Sequence, residues 1–249
     1  YYGCCAFFEK KYDEAAASFK KCEAAPAYKN LAPYYLCQIY FAQKKYNDVI
    51  AYGEPRTKDN SLRNLSEINQ LVGQSYYELG DLKRARPFLE YAANNNAKMR
   101  PADFYQLGYT QYIAGEYPKA LENFEKLSNQ DSLIGQNAFY HKGDCYIQTG
   151  NKFNARTAFG QAAKMPFDKS VQEDALFNYA KLSYELKYDR DAIDALQKIP
   201  ANSKYQDDAQ ALMAQVLINT RDYDKALSML DGIPNRSPKL NSAYQQLAY

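Results

Sequence analysis

Residues 104–124, FYQLGYTQYIAGEYPKALENF, contain the pattern that decides the fold of this chain. Gly115 lies at the centre, and apolar residues recur three or four positions apart on both sides of it, as on one face of an α-helix. Gly tolerates the backbone angles that end one helix, and Glu116 directly after it can cap the next helix. The stretch therefore predicts two helices joined by a tight turn.

This pattern recurs along the chain with a nearly constant period. A small residue before each turn and an Ala or Val after it form two independent series. The first series is Gly3, Cys37, Gly73, Gly108, Gly143, Ala180, Ala214 and Ala248. The second series is Ala15, Val49, Ala85, Ala120, Ala155, Ala192 and Ala226. Over their first seven members both advance in steps of 34, 36, 35, 35, 37 and 34 residues, which indicates an array of stacked helical hairpins.

Large apolar residues follow each turn in the same register. They are Phe19, Leu89, Phe124, Phe159, Leu196 and Leu230. Small residues let two helix backbones approach closely, and a large side chain then fills the space beside them. We therefore expect the small, Ala and large positions of the repeat to pack together in the core.

Prolines mark the predicted helix boundaries. Pro101 and Pro118 fall where helices begin, and four prolines fall where second helices end: Pro26, Pro166, Pro200 and Pro234. Helix pairs are predicted near 1–25, 31–55, 64–95, 101–127, 134–164, 170–198 and 204–232, with a lone helix from 238.

The order of small, Tyr, Gly, Tyr, Ala and Phe positions resembles the tetratricopeptide repeat (TPR). The fullest match consists of Leu107, Gly108, Gly115, Tyr117, Ala120 and Phe124. The second repeat departs from the family, because it has Val49 and Gly53 where Ala and a large residue are usual. The resemblance implies an all-α fold, a right-handed α-α superhelix of about seven hairpins plus a C-terminal helix. It also implies one domain over 1–249, with repeats near 1–27, 31–61, 64–98, 101–131, 134–168, 170–203 and 204–236 and a partial repeat at 238–249.

In such a superhelix the first helices of the hairpins line a concave groove, which is the expected site for a protein or peptide partner. The helical period places a set of mostly aromatic residues on the groove side. The predicted partner-binding residues are Tyr34, Phe41, Tyr77, Tyr105, Tyr109, Tyr112, Tyr140, Phe177, Lys181 and Tyr184. Phe7 lies on the same side, and polar groups there are Gln38, Gln70, Gln74, Asp144 and Gln215. Tyr suits recognition because it combines a rigid contact area with a hydroxyl. The alternative for any one tyrosine is packing between helices.

Two functions fit this surface. The first is a non-catalytic scaffold that binds a peptide or partner protein, and the alternative is a glycan-binding or envelope-assembly module that uses the same tyrosine-rich face. Some TPR proteins clamp a C-terminal carboxylate with Lys and Asn, but the equivalent positions here hold Tyr34, Gln38, Gln70, Gln74, Tyr105 and Tyr109, which disfavours that ligand.

We expect no catalysis, no cofactor and no metal site. The only histidine is His141, so a second histidine for a metal site or a Ser/His pairing is missing from the sequence. The acidic pairs Glu173-Asp174 and Asp207-Asp208 fall at the starts of predicted helices, where negative charge favours the helix dipole. The glycines are used in turns and helix contacts rather than in a phosphate-binding loop.

Composition limits the compartment and the partner class. The net charge of +2 without a long run of one sign argues against nucleic acid, and the apolar runs are too short to insert in a membrane. The chain starts without Met and inside a repeat, so we expect an excised piece. The Tyr-rich repeats resemble those of bacterial envelope proteins, and this resemblance implies a bacterial periplasm or cell envelope. Five cysteines without CxxC spacing, expected to be buried thiols, favour the cytoplasm. A disulfide between two of the first four cysteines remains open.

Overall fold

The computed structural model describes residues 2–95 and 98–231, and every regular element in these ranges is helical. The α-helices are α1 Tyr2–Phe8, α2 Tyr12–Glu23, α3 Ala32–Ala42, α4 Tyr46–Gly53, α5 Leu65–Glu78, α6 Leu82–Asn95, α7 Pro101–Ile113, α8 Tyr117–Glu125, α9 Leu133–Gln148, α10 Lys152–Lys164, α11 Lys169–Glu185, α12 Asp189–Leu196, α13 Gln206–Asn219 and α14 Tyr223–Asp231. A 3-10 helix, Glu54–Lys58, follows α4. The predicted all-α fold class is confirmed. Pro234, Ala248 and the helix predicted from 238 lie outside the described residues.

The chain forms two compact units, residues 1–123 and 124–249. Within each unit a helix packs against the helix that follows it, as α5 packs on α6 and α10 packs on α11. First helices of successive hairpins also meet, as α3 meets α5 in the first unit and α11 meets α13 in the second. The single domain over 1–249 and its repeat boundaries stay a prediction.

Seven of the turns between helices share one geometry. The second residue after the end of the helix has a positive φ in each: Lys10, Lys44, Gly80, Gly115, Gly150, Lys187 and Arg221. At Lys44 the backbone N donates to Phe41 O at 2.9 Å, and Lys45 N donates to Tyr40 O at 2.9 Å. This pair of bonds is the Schellman motif, which satisfies the last carbonyls of a helix. Lys and Arg therefore occupy a left-handed position that Gly adopts without steric cost.

The core pairs small residues with large ones. A Cβ added to Gly73 would lie 2.9 Å from Leu89 Cγ, and one added to Gly143 would lie 2.7 Å from the Phe159 ring. All six predicted large residues, Phe19, Leu89, Phe124, Phe159, Leu196 and Leu230, are buried. The predicted packing role of these positions therefore holds in the structure.

The second hairpin reverses this size relation. Its small-residue position is Cys37, and its large-residue position is Gly53. A Cβ on Gly53 would lie 2.8 Å from Val72 Cγ2 and 3.1 Å from Cys37 Sγ. The departure from the family pattern therefore has a steric reason, since the larger thiol fills space that Gly53 leaves.

Two sequence expectations are corrected, one for a pair of acidic residues and one for a proline. Glu173 and Asp174 lie in the second turn of α11 rather than at its start, where Glu173 accepts a hydrogen bond from Ser203 Oγ at 2.7 Å and Asp174 pairs with Lys204 at 2.6 Å. They connect α11 to the loop before α13 instead of capping a helix. Pro87 lies inside α6, a position that the proline register does not predict.

The cysteines only partly follow the expectation of buried thiols. All five are free, and Cys37 and Cys145 are buried. Cys4 and Cys22 are half-buried, and Cys5 is exposed on the short helix α1, whose buried residues are Gly3 and Ala6. Burial raises the pKa of Cys37 and of Cys145 to about 12, so these thiols stay protonated at neutral pH.

Candidate partner-binding groove

A groove of about 400 Å³ runs along the first helices of the first unit. Its residues come from α1, α3 and α5, from Asn64 directly before α5, and from the segment that leads into α7. They are Phe7, Tyr34, Gln38, Phe41, Ala42, Asn64, Glu67, Gln70, Leu71, Gln74, Lys98 and Arg100. We call this surface the first-unit groove. It contains two of the predicted partner-binding residues, Tyr34 and Phe41.

Aromatic side chains form one wall of the first-unit groove. Gln38 Nε2 donates to the Tyr34 hydroxyl at 2.5 Å, one helical turn away on α3. Phe41 packs edge-on against Tyr46, with ring centroids 5.4 Å apart. The Tyr34 hydroxyl is neutral at physiological pH, since the ordinary pKa of Tyr is about 10 and burial raises it. The wall thus offers apolar rings with a neutral polar edge.

Four predicted residues form a tyrosine cluster: Tyr77 on α5 and Tyr105, Tyr109 and Tyr112 on α7. Tyr105 and Tyr109 stack with centroids 6.1 Å apart, and Tyr77 meets Tyr109 edge-on at 6.2 Å. Tyr109 and Tyr112 are also in contact at 6.1 Å. Burial raises the pKa of Tyr77 to about 12 and that of Tyr105 further. Each ring is half-buried, so packing between helices uses part of its surface and the remainder faces solvent.

A buried polar network lies beneath the first-unit groove. Gln74 is 3% exposed, and its Nε2 donates to Oδ1 of the fully buried Asp103 at 2.5 Å. Arg100 donates to the same carboxylate through its backbone N at 2.8 Å and through its guanidinium at 3.1 Å. Sequence reasoning placed Gln74 on the groove but missed Asp103 and Arg100. The available signal was an acidic residue in the first turn of a helix that begins with Pro101.

The other four predicted residues belong to the second unit. Tyr140 packs edge-on against Phe159 at 5.5 Å, and Phe177 stacks on Tyr205 at 4.5 Å. The Tyr184 hydroxyl accepts a hydrogen bond from Asn219 Nδ2 at 3.0 Å, and Lys181 is exposed. Their membership of one groove with Tyr34 and Phe41 stays a prediction.

In the described part of the chain, the residues relevant to other chemistry are those that could bind a metal ion, cross a membrane or act as a catalytic histidine. Residues 2–95 and 98–231 contain no group of three or more His, Cys, Asp or Glu side chains placed to hold a metal ion. In the same ranges, every helix falls short of the length and apolar character needed to cross a bilayer. His141 lies against Phe124 and Tyr140, with ring centroids 5.9 and 5.5 Å away.

Comparison with known proteins identifies the repeat. Residues 137–165 and 190–248 each match a family model described as tetratricopeptide repeat. No curated protein sequence gives a significant match. The structural likenesses come from solved structures of low sequence identity, which establish a shared fold.

Three solved structures illustrate that fold. YrrB, described as a TPR protein with an unusual peptide-binding site, is 16% identical over 80% of this chain and 97% of its own, with a TM-score of 0.59. The C-terminal part of a TPR protein from Cytophaga hutchinsonii is 19% identical over 97% of this chain and 98% of its own, with a TM-score of 0.57. A chain of the Naa15/Naa10 complex bound to HypK-THB is 14% identical over 98% of this chain and 37% of its own, with a TM-score of 0.62.

The fold of these relatives is typical of protein-interaction modules rather than of catalysts. The two matched segments, the period near 35 residues and the all-helical hairpins of both units agree with one another. Residues 137–165 and 190–248 are therefore tetratricopeptide repeats, and the fold of the chain is the fold of tetratricopeptide-repeat proteins.

Proposed function

We propose that this protein is a scaffold that holds a partner protein by binding an extended peptide segment in the first-unit groove. The observation that carries the proposal is the composition of the groove, in which the rings of Phe7, Tyr34 and Phe41 lie beside side-chain amides. Aromatic rings supply apolar contact at a low entropy cost, and amides can hydrogen-bond to a peptide backbone. The peptide-binding site described for YrrB supports the idea that this fold can hold a peptide.

The tyrosine cluster extends the proposed surface along α5 and α7. The hydroxyls of Tyr77 and Tyr105 are neutral at physiological pH, since the ordinary pKa of Tyr is about 10 and burial raises the pKa of each. A row of neutral phenols favours uncharged or mixed-charge segments over strongly acidic or basic ones. Glu67, Lys98 and Arg100 on the groove lining also carry both signs, which agrees with weak selection for charge.

The proposal is tested by selecting peptides on the immobilised chain from a random phage-displayed library and measuring their affinities by isothermal titration calorimetry. Phe41→Ala and Tyr34→Ala should each weaken a selected peptide about 10- to 100-fold, since burying one aromatic ring contributes about 1.5–3 kcal/mol. Tyr91→Ala, on the second helix α6 and 38% exposed, is the matched control and should change affinity little.

Two results would contradict the proposal. Selected peptides that bind equally well to Phe41→Ala, Tyr34→Ala and a variant with Tyr105, Tyr109 and Tyr112 all changed to Ala would place the site elsewhere. Oligosaccharides that bind through these tyrosines on a glycan array, with no peptide recovered, would favour the glycan-binding alternative.

A further inference from the structure

Gln74 differs from the other groove amides because it is buried and firmly oriented. It lies on α5, lines the first-unit groove and is 3% exposed. Its amide nitrogen donates to Asp103, which is fully buried at the start of α7. The bond therefore joins two helices of successive hairpins beneath the groove.

The hydrogen bond to the Asp103 carboxylate determines which end of the Gln74 amide faces Asp103. A carboxylate only accepts hydrogen bonds, so the NH₂ end must face Asp103 and the oxygen must lie at the other end. Asp103 cannot easily turn away, because the Arg100 backbone N and guanidinium donate to it at 2.8, 3.1 and 3.1 Å. The network thus holds the Gln74 amide in one orientation.

The Gln74 oxygen has no donor in the part of the chain that the structure describes. The one hydrogen bond that its side chain makes there is the bond from Nε2 to Asp103. Because Gln74 lines the first-unit groove and its Nε2 is bonded to Asp103, the oxygen is the end of the amide that a ligand in the groove can contact. A ligand that donates a hydrogen bond to this oxygen binds more tightly. A ligand that covers the oxygen without donating to it loses affinity, because the buried acceptor is left without a hydrogen bond.

We infer that Gln74 is a specificity-determining residue, whose fixed oxygen selects peptide segments that place a backbone N–H against it. The inference rests on the proposed function. An extended peptide fits because it carries an N–H at every non-proline residue, while its side chains contact the wall formed by Tyr34 and Phe41. A segment with proline at the contacting position, or an apolar group there, is selected against.

The test uses the tightest peptide selected above and a set of its variants, each methylated at one backbone nitrogen to remove one donor. On the unaltered chain, methylation at one position should weaken binding about tenfold beyond its neighbours. On Gln74→Met, which keeps the side-chain length but has no acceptor, the same methylation should change affinity less than about twofold. Gln38→Met is the matched control, since Gln38 lies on the same groove and bonds to Tyr34 instead, and it should retain the tenfold effect.

A second measurement serves if Gln74→Met fails to fold, as judged by circular dichroism. The side-chain carbonyl ¹³C resonance of Gln74 in the unaltered protein should shift when the peptide binds and should not shift with the critical methylated variant. Equal methylation effects on the unaltered chain and Gln74→Met, or an unmoved resonance, would overturn the inference while leaving the groove proposal intact. Peptides indifferent to Tyr34→Ala and Phe41→Ala would instead remove the proposed function and the inference with it.

Discussion

Gly143 provides a direct test of how the hairpins pack. In the substitution Gly143→Ala, the new methyl group would lie 2.7, 2.7 and 2.8 Å from three atoms of the Phe159 ring. Overpacking a core in this way costs about 1–3 kcal/mol, while replacing Gly by Ala inside a helix gains about 1 kcal/mol. The free energy of unfolding should therefore fall by about 1 kcal/mol on balance.

A second substitution, Phe159→Leu, should restore the stability that Gly143→Ala loses. The equivalent pair two helices later is Ala180 with Leu196, so the fold accommodates Ala beside Leu at this pair, although a Cβ on Gly73 would lie 2.9 Å from Leu89 Cγ. In a Phe159→Leu background, Gly143→Ala should therefore become neutral or stabilising. The double-mutant cycle should give a coupling of about 1 kcal/mol or more between the two positions.

The assay is urea unfolding followed by circular dichroism at 222 nm, with hydrogen exchange of α9 and α10 to localise the effect. If Gly143→Ala stabilises the protein equally with Phe159 and with Leu at position 159, the close approach of α9 and α10 does not depend on the missing Cβ. That result would refute the packing argument for the whole series of small residues.

Three further outcomes are expected. Lys44→Gly should raise the free energy of unfolding by about 0.5–1 kcal/mol in calorimetry, because Lys44 has φ 57° and Gly relieves the left-handed strain. The pKa of Tyr77 is about 12 in the folded state and about 10 in the unfolded state. The stability that neutral Tyr77 contributes is therefore complete below pH 10 and is lost between pH 10 and 12. In Tyr77→Phe, the melting temperature should fall less steeply over that pH range. Ellman's reagent should label Cys5 in the folded protein, whereas Cys37 and Cys145 should react only on unfolding.

Controls make each of these outcomes decisive. Gly150→Ala should destabilise by about 1 kcal/mol although nothing lies within 4 Å of the added Cβ, because only its φ of +77° is at issue. Unchanged stability in both Lys44→Gly and Gly150→Ala would mean that the Schellman turns carry no strain. A Tyr77→Phe curve that falls like the original between pH 10 and 12, or rapid labelling of Cys37, would contradict the burial deduced for those side chains.

Much of the fold could be predicted from the sequence because its determinants are local. Gly80, Gly115 and Gly150 mark turns that depend on the φ of a single residue, and the spacing of small and large residues follows from the helical period. Tyr34 and Phe41 lie on one helix, α3, as the helical period predicts, since the face of a helix can be read from residues a few positions apart. The sequence prediction failed at Glu173 and Asp174, whose partners Ser203 and Lys204 lie 30 positions further along the chain.

The sequence by itself therefore determined the repeat, the order of helices and turns, and the pairing of small with large residues in the core. Each of these depends on residues within one hairpin of about 35 residues. Only the tertiary structure decided which amide becomes an oriented acceptor. The hydrogen bond from Gln74 to Asp103 joins residues 29 positions apart. Its strength depends on the burial of both side chains and on their distance of 2.5 Å, and neither can be predicted from the repeat period. The physical reason is that helical faces are set by local geometry, whereas hydrogen bonds between hairpins are set by how closely two separate helices pack.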